Sequence, residues 1–277
     1  MVTYCYLNGK IKSVDQAEVS VYDIGLLRGY GIYEAMTTHN KKPFMFADHL
    51  ERFKKSAIFL DLKVPFSDAE IEEAVHDLIR ANGFKETNIK FILTGGAALG
   101  GIDYDRDFPT FYILAEEFSA IPEKYLTDGA TLISHEHQRQ YPQYKTTNYI
   151  TAVMLQKTRK EKNALEVLYT SQGKVLECST SNFFIVKDGK IITAKENVLL
   201  GITRKVVIDL ARKAGLNVEE RDISVQELRS ADEAFLTASF KEVVPVVSID
   251  GALVGSGRVG EKTKKVLDLF QKFTASY

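Results

Sequence analysis

At 277 residues, 45% hydrophobic and 26% charged, the chain is long enough for two modest domains or one large one, and a formal net charge of −1 without an isolated lysine/arginine block argues against a nucleic-acid binder. Two cysteines, Cys5 and Cys178, exclude a disulfide framework and fit a reducing compartment. The N-terminal MVTYCYLNGKI has neither the basic nor the apolar region of a signal peptide, and no apolar run reaches a membrane span, so a cytoplasmic protein without a membrane partner is expected.

In chain order, YCYLNGKI (4–11) predicts a hairpin turning at Asn8-Gly9, and AEVSVYD (17–23) alternates as a strand does. GIYEAMTTHNKKPFMF (31–46) reads as two strands around an Asn-Lys-Lys-Pro turn. HLERFKKSAIFLDL (49–62) reads as a helix with Leu50, Phe53, Ala57 and Leu60 on one face. A second helix opens on a Ser67/Glu70 capping box, carries the stripe Ile71, Val75, Leu78 and Ile79, and ends at Gly83. NIKFILTGG and FPTFYILAEEF then read as a strand pair. The pattern breaks at FSAIPEK, which predicts a small α+β domain over 1–117, a linker over 118–124 and a large α/β domain over 125–277. In the second part, ATLISHE is a strand, and a helix is expected from about Thr147 to Lys162. ALEVLYTSQGKVLECS and FFIVKDGKIITA are strands around glycine turns. GITRKVVIDLARKAG is a helix, SVQELRSA a short helix, DEAFLTASF a strand, and a last helix follows Gly257. The basic run KTRKEKN (157–163) reads as a solvated helix face.

Four features carry chemistry. In QYKTTNY (143–149), Lys145 is hemmed in by aromatic and β-branched residues, a setting that desolvates an amine and makes it nucleophilic; the plain alternative is a surface lysine. Glu177 ends an apolar strand and enters the hydroxylic run CSTS, where a carboxylate can meet a buried cation or merely end the strand. Gly201, Ile202 and Thr203 open a helix whose first N–H groups suit an anion, as do those of any helix start. Arg52 in HLERFKK is otherwise a solvated helix arginine. Together, a reactive lysine, a carboxylate, an arginine and a helix start are what pyridoxal phosphate needs: an amine to form the Schiff base, an anion for the pyridine nitrogen, and a phosphate site.

These residues sit in motifs that resemble the class IV (fold-type IV) aminotransferases: YGIYEAM (30–36), HLERFKKSA (49–57), the lysine loop, LECSTSNFFIVKDGKIITA (176–194), LLGITRKVVIDLA (199–211) and EAFLTASFKEVVPVVSIDG (233–251). The resemblance runs over nearly the whole chain. It implies an α+β fold made of a small α+β domain and a large pseudo-barrel α/β domain, with the active site between them and at the interface of a homodimer. It implies pyridoxal 5'-phosphate as cofactor and no metal. Lys145 resembles the Schiff-base lysine that also moves the proton. Glu177 resembles the partner of the pyridine nitrogen, and Arg52 the phosphate-binding arginine. Ile202 and Thr203 resemble the phosphate-binding amides and hydroxyl, Ser239 a further phosphate hydroxyl, Tyr33 the aromatic residue facing substrate, and Tyr149 a donor to the phenolic oxygen of the cofactor.

Within the family the chain departs from both main branches. The arginine and histidine that follow the NIKFILTGGAALGG strand in D-amino-acid transaminases are missing, with Gly95 and Gly96 there instead. Asn88 and Lys90 match poorly the tyrosine and arginine of branched-chain enzymes, and Phe240 and Lys241 are large where those enzymes have small residues. The spacing Lys145-Thr146-Thr147-Asn148 resembles the D-amino-acid and lyase branches. Arg28 and Lys241 are then the candidate cations for the substrate carboxylate, against the plain readings of a turn residue at a dimer rim and a solvated lysine. His135 and His137 share a strand face, but no further ligand cluster accompanies them, and a solvated strand is expected. The expected activity is transfer of an amino group between an amino acid and a 2-oxo acid, with D-amino acids ahead of branched-chain L-amino acids and of an aminodeoxychorismate lyase.

Overall fold

The computed structural model describes residues 3–277; Met1 and Val2, which the expected absence of a leader also concerns, lie outside it. The described residues form two compact units. The first runs to Ser119 and takes in Tyr144–Asn148 and Tyr277; the second consists of Ala120–Gln143 and Tyr149–Ser276.

In the first unit, Asn8 and Gly9 hold φ of 45° and 91°, the geometry a two-residue hairpin turn requires, and join strands Tyr4–Leu7 and Lys10–Ser13. These belong to a six-stranded antiparallel sheet. Its strands run Lys10–Ser13, Tyr4–Leu7, Thr110–Glu117, Thr87–Thr94, Gly31–His39 and Lys42–Pro43 in spatial order. Helices Phe46–Phe59 and Asp68–Asn82 bury Leu50, Phe53 and Ala57, and Ile71, Val75 and Leu78, in one cluster with the sheet residues Ile32, Met36, Phe91, Phe111 and Ile113. The capping box forms in both directions between Ser67 and Glu70, and Gly83 closes the helix at φ 66°. The strand expected at 17–23 does not form. Val19, Val21 and Tyr22 stay exposed, and the segment meets neighbouring extended chain at its end, where the Ala98 N–H donates to the Tyr22 carbonyl and Asp23 bridges to Ala97; an alternating pattern needs a partner along its length and a core to face.

The second unit is built on a ten-stranded mixed sheet. In spatial order its main path is Val218–Glu220, Lys190–Thr193, Asn182–Lys187, Glu233–Ala238, Glu242–Ile249, Ala130–Glu136, Glu166–Ser171, Lys174–Cys178 and Ile223–Ser224. Strands Asn182–Lys187 and Lys174–Cys178 stand third and eighth on this path, yet Ser179–Ser181 alone connect them. Four residue steps span at most about 14 Å. Five strand spacings across a flat sheet would be about 24 Å. The sheet therefore curls on itself, and the chain crosses the seam immediately after Glu177. Helices Ile202–Lys213 and Glu261–Ala275 bury Ile202, Val206, Val207, Val266 and Phe270. The single helix expected from Thr147 to Lys162 is instead two short ones, Ile150–Met154 and Gln156–Glu161. Thr146 and Thr147 are taken up by contacts in the first unit, so the helix starts later. Among the described residues no helix is long and apolar enough to cross a membrane.

Candidate active site

In the first unit the lysine segment is fixed from both sides. The Lys145 carbonyl accepts the Tyr33 N–H at 2.9 Å, and its own N–H donates to Ser56 Oγ at 3.2 Å. Tyr144 stacks on Phe59 with ring centroids 3.8 Å apart and planes at 7°. Thr146 bridges to Ile32, and Thr147 donates its N–H to the Gly31 carbonyl and its hydroxyl to the carbonyls of Gly29 and Gly31. On this anchored backbone, Lys145 Nζ lies 4.3 Å from the centre of the Tyr33 ring. An amine against an aromatic face keeps an electrostatic partner while losing part of its water shell.

Beside this segment lies an ionic cluster that motif reading missed. Glu34, on the strand Gly31–His39, is fully buried. Arg52 grips it in a fork, with Nε 2.9 Å from Oε2 and Nη2 2.6 Å from Oε1, and His49 Nδ1 lies 3.0 Å from Oε1. His49 and Arg52 share a helix face three residues apart. Burial alone would raise the Glu34 carboxyl, but Arg52 and His49 outweigh it and hold the group well below the usual carboxylate range. For His49 burial comes first and lowers its pKa; Glu34 opposes this, while the charges of Arg52 and Lys145 add to it. The Arg52 guanidinium is thus oriented by a buried anion that His49 also contacts. Arg28 ends the short helix Ile24–Arg28, which the buried Asp23 holds by accepting from Gly25 N, Thr94 Oγ1 and Thr110 Oγ1. The arginine is exposed, its Nη1 donates to the Leu27 carbonyl, and it immediately precedes the Gly29 to which Thr147 is bonded.

In the second unit, Glu177 is 5% exposed, and its two oxygens are held separately. Oε1 accepts Arg139 Nε at 3.1 Å, and Oε2 accepts the Leu199 N–H at 3.0 Å. The Arg139 guanidinium lies over the Tyr149 ring at 4.4 Å and the Tyr169 ring at 5.5 Å, and it also donates to the Ser179 carbonyl. Tyr149 and Glu177 are therefore joined through Arg139, a residue that motif reading did not single out. The helix Ile202–Lys213 begins after Gly201 with no side chain capping it, and Ile202 and Thr203 are buried. A Cβ on Gly201 would lie 2.1 Å from Asn182 Oδ1, so glycine is what lets Asn182 close on this turn, where its side chain donates to the Leu199 carbonyl. Ser239 sits in the turn between strands Glu233–Ala238 and Glu242–Ile249, half-buried. Lys241, two residues on, is not a solvated lysine: its ammonium pairs with the buried Glu166 at 2.8 Å and donates to Thr180 Oγ1 at 2.7 Å.

The residues singled out from sequence thus fall into two groups: Lys145, Tyr33, Arg52 and Arg28 in the first unit, and Tyr149, Glu177, Ile202, Thr203, Ser239 and Lys241 in the second. What sequence motifs missed are the partners Glu34, His49, Arg139 and Glu166. A usable signal existed for the two carboxylates. Each sits inside an apolar strand run, YGIYEAM and ALEVLY, where an ionised group must be paired.

The sequence model of the family described as Amino-transferase class IV matches residues 31–249. A Methanocaldococcus jannaschii protein provisionally named as a branched-chain-amino-acid aminotransferase is 33% identical over 275 residues, covering 96% of this chain and 94% of that protein. A D-alanine aminotransferase of Listeria monocytogenes is 32% identical over 271 residues, covering 95% and 93%. Among solved structures, a T.th. branched-chain amino acid aminotransferase with pyridoxamine 5'-phosphate matches with a TM-score of 0.93 and 28% identity, covering 100% of this chain and 95% of that one.

Proposed function

Because the chain belongs to the class IV aminotransferase family, whose members use pyridoxal 5'-phosphate, we propose that it transfers the amino group of a D-amino acid to a 2-oxo acid. The residues present fit that cofactor. Glu177 is a buried anion oriented by Arg139 and the Leu199 amide, and the helix after Gly201 opens without a side-chain cap. Lys145 offers an amine held on the Tyr33 ring. When bound, the cofactor supplies an electron sink for the charge left at the substrate Cα.

In this reading Lys145 would hold the cofactor through its amine, and its Nζ, when free, would take the proton from the substrate Cα. Glu177 would keep a proton on the pyridine nitrogen, and Tyr149 would donate to the phenolic oxygen. Arg52, Ile202, Thr203 and Ser239 would be the phosphate-binding residues, and Tyr33 would face the substrate. Arg28 binds the substrate carboxylate. Lys241, the second candidate for that task, contributes less because Glu166 already offsets its charge. The protein works as a cytoplasmic homodimer.

The choice of D-amino acids rests on the lysine segment. Thr146 and Thr147 are both bonded to the Gly29–Ile32 stretch, so the short Lys145–Asn148 spacing is locked and ties that stretch to the Arg28 helix. Relatives named D-alanine aminotransferase support it. The second reading, a branched-chain L-amino-acid aminotransferase, has the fold match in its favour. Purified enzyme assayed with D-alanine, L-leucine and aminodeoxychorismate separates them. The proposal expects D-alanine to be turned over fastest with 2-oxoglutarate or pyruvate as acceptor; faster turnover of L-leucine, or pyruvate release from aminodeoxychorismate, overturns it.

A further inference from the structure

Glu166 has no part in the assignments above, yet few groups in the chain are so heavily engaged. It opens the strand Glu166–Ser171 and is 2% exposed. Oε1 accepts Thr180 Oγ1 at 2.5 Å and Ser181 Oγ at 2.7 Å, and pairs with Lys241 Nζ at 2.8 Å. Oε2 accepts from the Ser179 hydroxyl and from the Thr180 N–H at 3.2 Å. Lys241 also donates to Thr180 Oγ1, so threonine, lysine and carboxylate close a ring.

What this cluster joins gives it meaning. Ser179–Ser181 is the connection across the seam of the curled sheet, and it begins two residues after Glu177. Lys241 lies in the next turn along the sheet, two residues after Ser239. One buried carboxylate therefore fastens the turn behind Glu177 to the turn that carries Ser239. Burial would push the Glu166 carboxyl up, but the charge of Lys241 and the Ser179 and Thr180 donors outweigh it, so it stays an anion. Stability alone is a weak reason for such an arrangement, because a well-packed apolar pair often stabilises as much as a buried ion pair. A charged pair with several directional donors does what an apolar pair cannot: it fixes orientation and register.

We propose that Glu166 and Lys241 are positioning residues, a buried ionic clamp that sets the carboxylate of Glu177 and the hydroxyl of Ser239 at the separation the cofactor requires. The proposal rests on the cofactor roles assigned above to Glu177 and Ser239. It also gives Lys241 a task that is complete before any substrate arrives.

The test uses full-length protein freed of cofactor and titrated with pyridoxal 5'-phosphate in the absence of substrate, so that a role of Lys241 at the substrate does not enter. Binding is followed by absorbance, which also reports the electronic state of the bound cofactor, and folding by far-UV circular dichroism. Lys241→Met removes the cation and leaves Glu166 in place; Lys241→Arg keeps the charge; Glu177→Gln is the control for the underlying reading. The clamp predicts that Lys241→Met folds, weakens cofactor binding by about ten- to hundredfold, as loss of a group supporting a ligand typically does, and shifts the absorbance of the bound cofactor in the direction that Glu177→Gln does. Lys241→Arg should restore most of both. A lowered melting temperature in Lys241→Met with affinity and spectrum unchanged would show a merely structural pair and overturn the proposal. So would equal weakening in the arginine variant. If Glu177→Gln itself leaves the spectrum unchanged, it is the cofactor role of Glu177 that has failed, and the clamp falls with it for that separate reason.

Discussion

Replacing Glu34 by glutamine removes one charge from a closed cluster and leaves its shape almost intact. The wild-type carboxylate accepts Arg52 Nε at 2.9 Å, Arg52 Nη2 at 2.6 Å, His49 Nδ1 at 3.0 Å and the Ala35 N–H at 2.8 Å, with no exposure of its own. Breaking a buried pair by removing one partner typically costs about 3–5 kcal/mol. Two features place this case at the lower end: glutamine retains a carbonyl acceptor, and the Arg52 side chain keeps 12% of its surface in water. A loss of about 3 kcal/mol follows, and at about 2–4 °C per kcal/mol for a chain of this size that is roughly 6–12 °C in Tm. The glutamine amide also points N–H donors at a guanidinium that has only donors to offer. Arg52 should therefore lose its fixed orientation, and cofactor affinity should fall with stability. Thermal unfolding followed by circular dichroism, with and without pyridoxal 5'-phosphate, reads both effects. A stability loss below about 1 kcal/mol would mean that the pair behaves like an exposed one, and the orienting role given to Glu34 would be wrong.

Further outcomes follow from the same geometry. Glu177→Gln keeps the hydrogen-bonding shape and loses the anion; folding should be normal, while the single-turnover half-reaction slows by roughly two to four powers of ten, each being about 1.4 kcal/mol of barrier. Near wild-type turnover would assign the pyridine nitrogen to another group. His49 is buried, and its pKa in the folded chain lies below the ordinary value of 6.5, so protons enter the unfolded state first as pH falls. Stability should therefore be fully present above about pH 7 and decline as pH falls below the ordinary histidine range. The contribution of Glu34, whose folded pKa is depressed from 4.5, is lost only at much lower pH. In urea titrations His49→Gln should flatten the decline between neutral and mildly acid pH; an unchanged slope would place its origin elsewhere.

Local signals in the sequence translated directly into structure. Asn8-Gly9 turns the first hairpin and Ser67 with Glu70 caps the second long helix, because both depend on residues adjacent or three apart. Features that need a distant partner were less legible. AEVSVYD has the alternation of a strand but is paired only at its Tyr22-Asp23 end and leaves Val19 and Val21 exposed, and the helix expected at Thr147 is delayed because Thr146 and Thr147 bond to Gly29, Gly31 and Ile32. The candidate site shows the same division. Family motifs pointed to Lys145, Glu177 and Arg52, which lie in contiguous sequence patterns. The groups that hold them are far along the chain: Glu34 lies 18 residues from Arg52, and Arg139 lies 38 from Glu177. Glu166 and Lys241, far apart in the chain, meet at Thr180 in the Ser179–Ser181 connection, a pairing no local pattern announces.

The central claim is that Lys145 carries pyridoxal phosphate covalently and does the chemistry of amino transfer. Reduction of the cofactor-loaded protein with borohydride, followed by proteolysis and mass spectrometry, tests it most directly. The account predicts a yellow protein whose colour the reduction abolishes, with one pyridoxyl group located on the peptide containing Gln143-Tyr144-Lys145 and assigned to Lys145. A pyridoxyl group on another lysine, or a protein that stays colourless and unmodified after incubation with the cofactor, would contradict it.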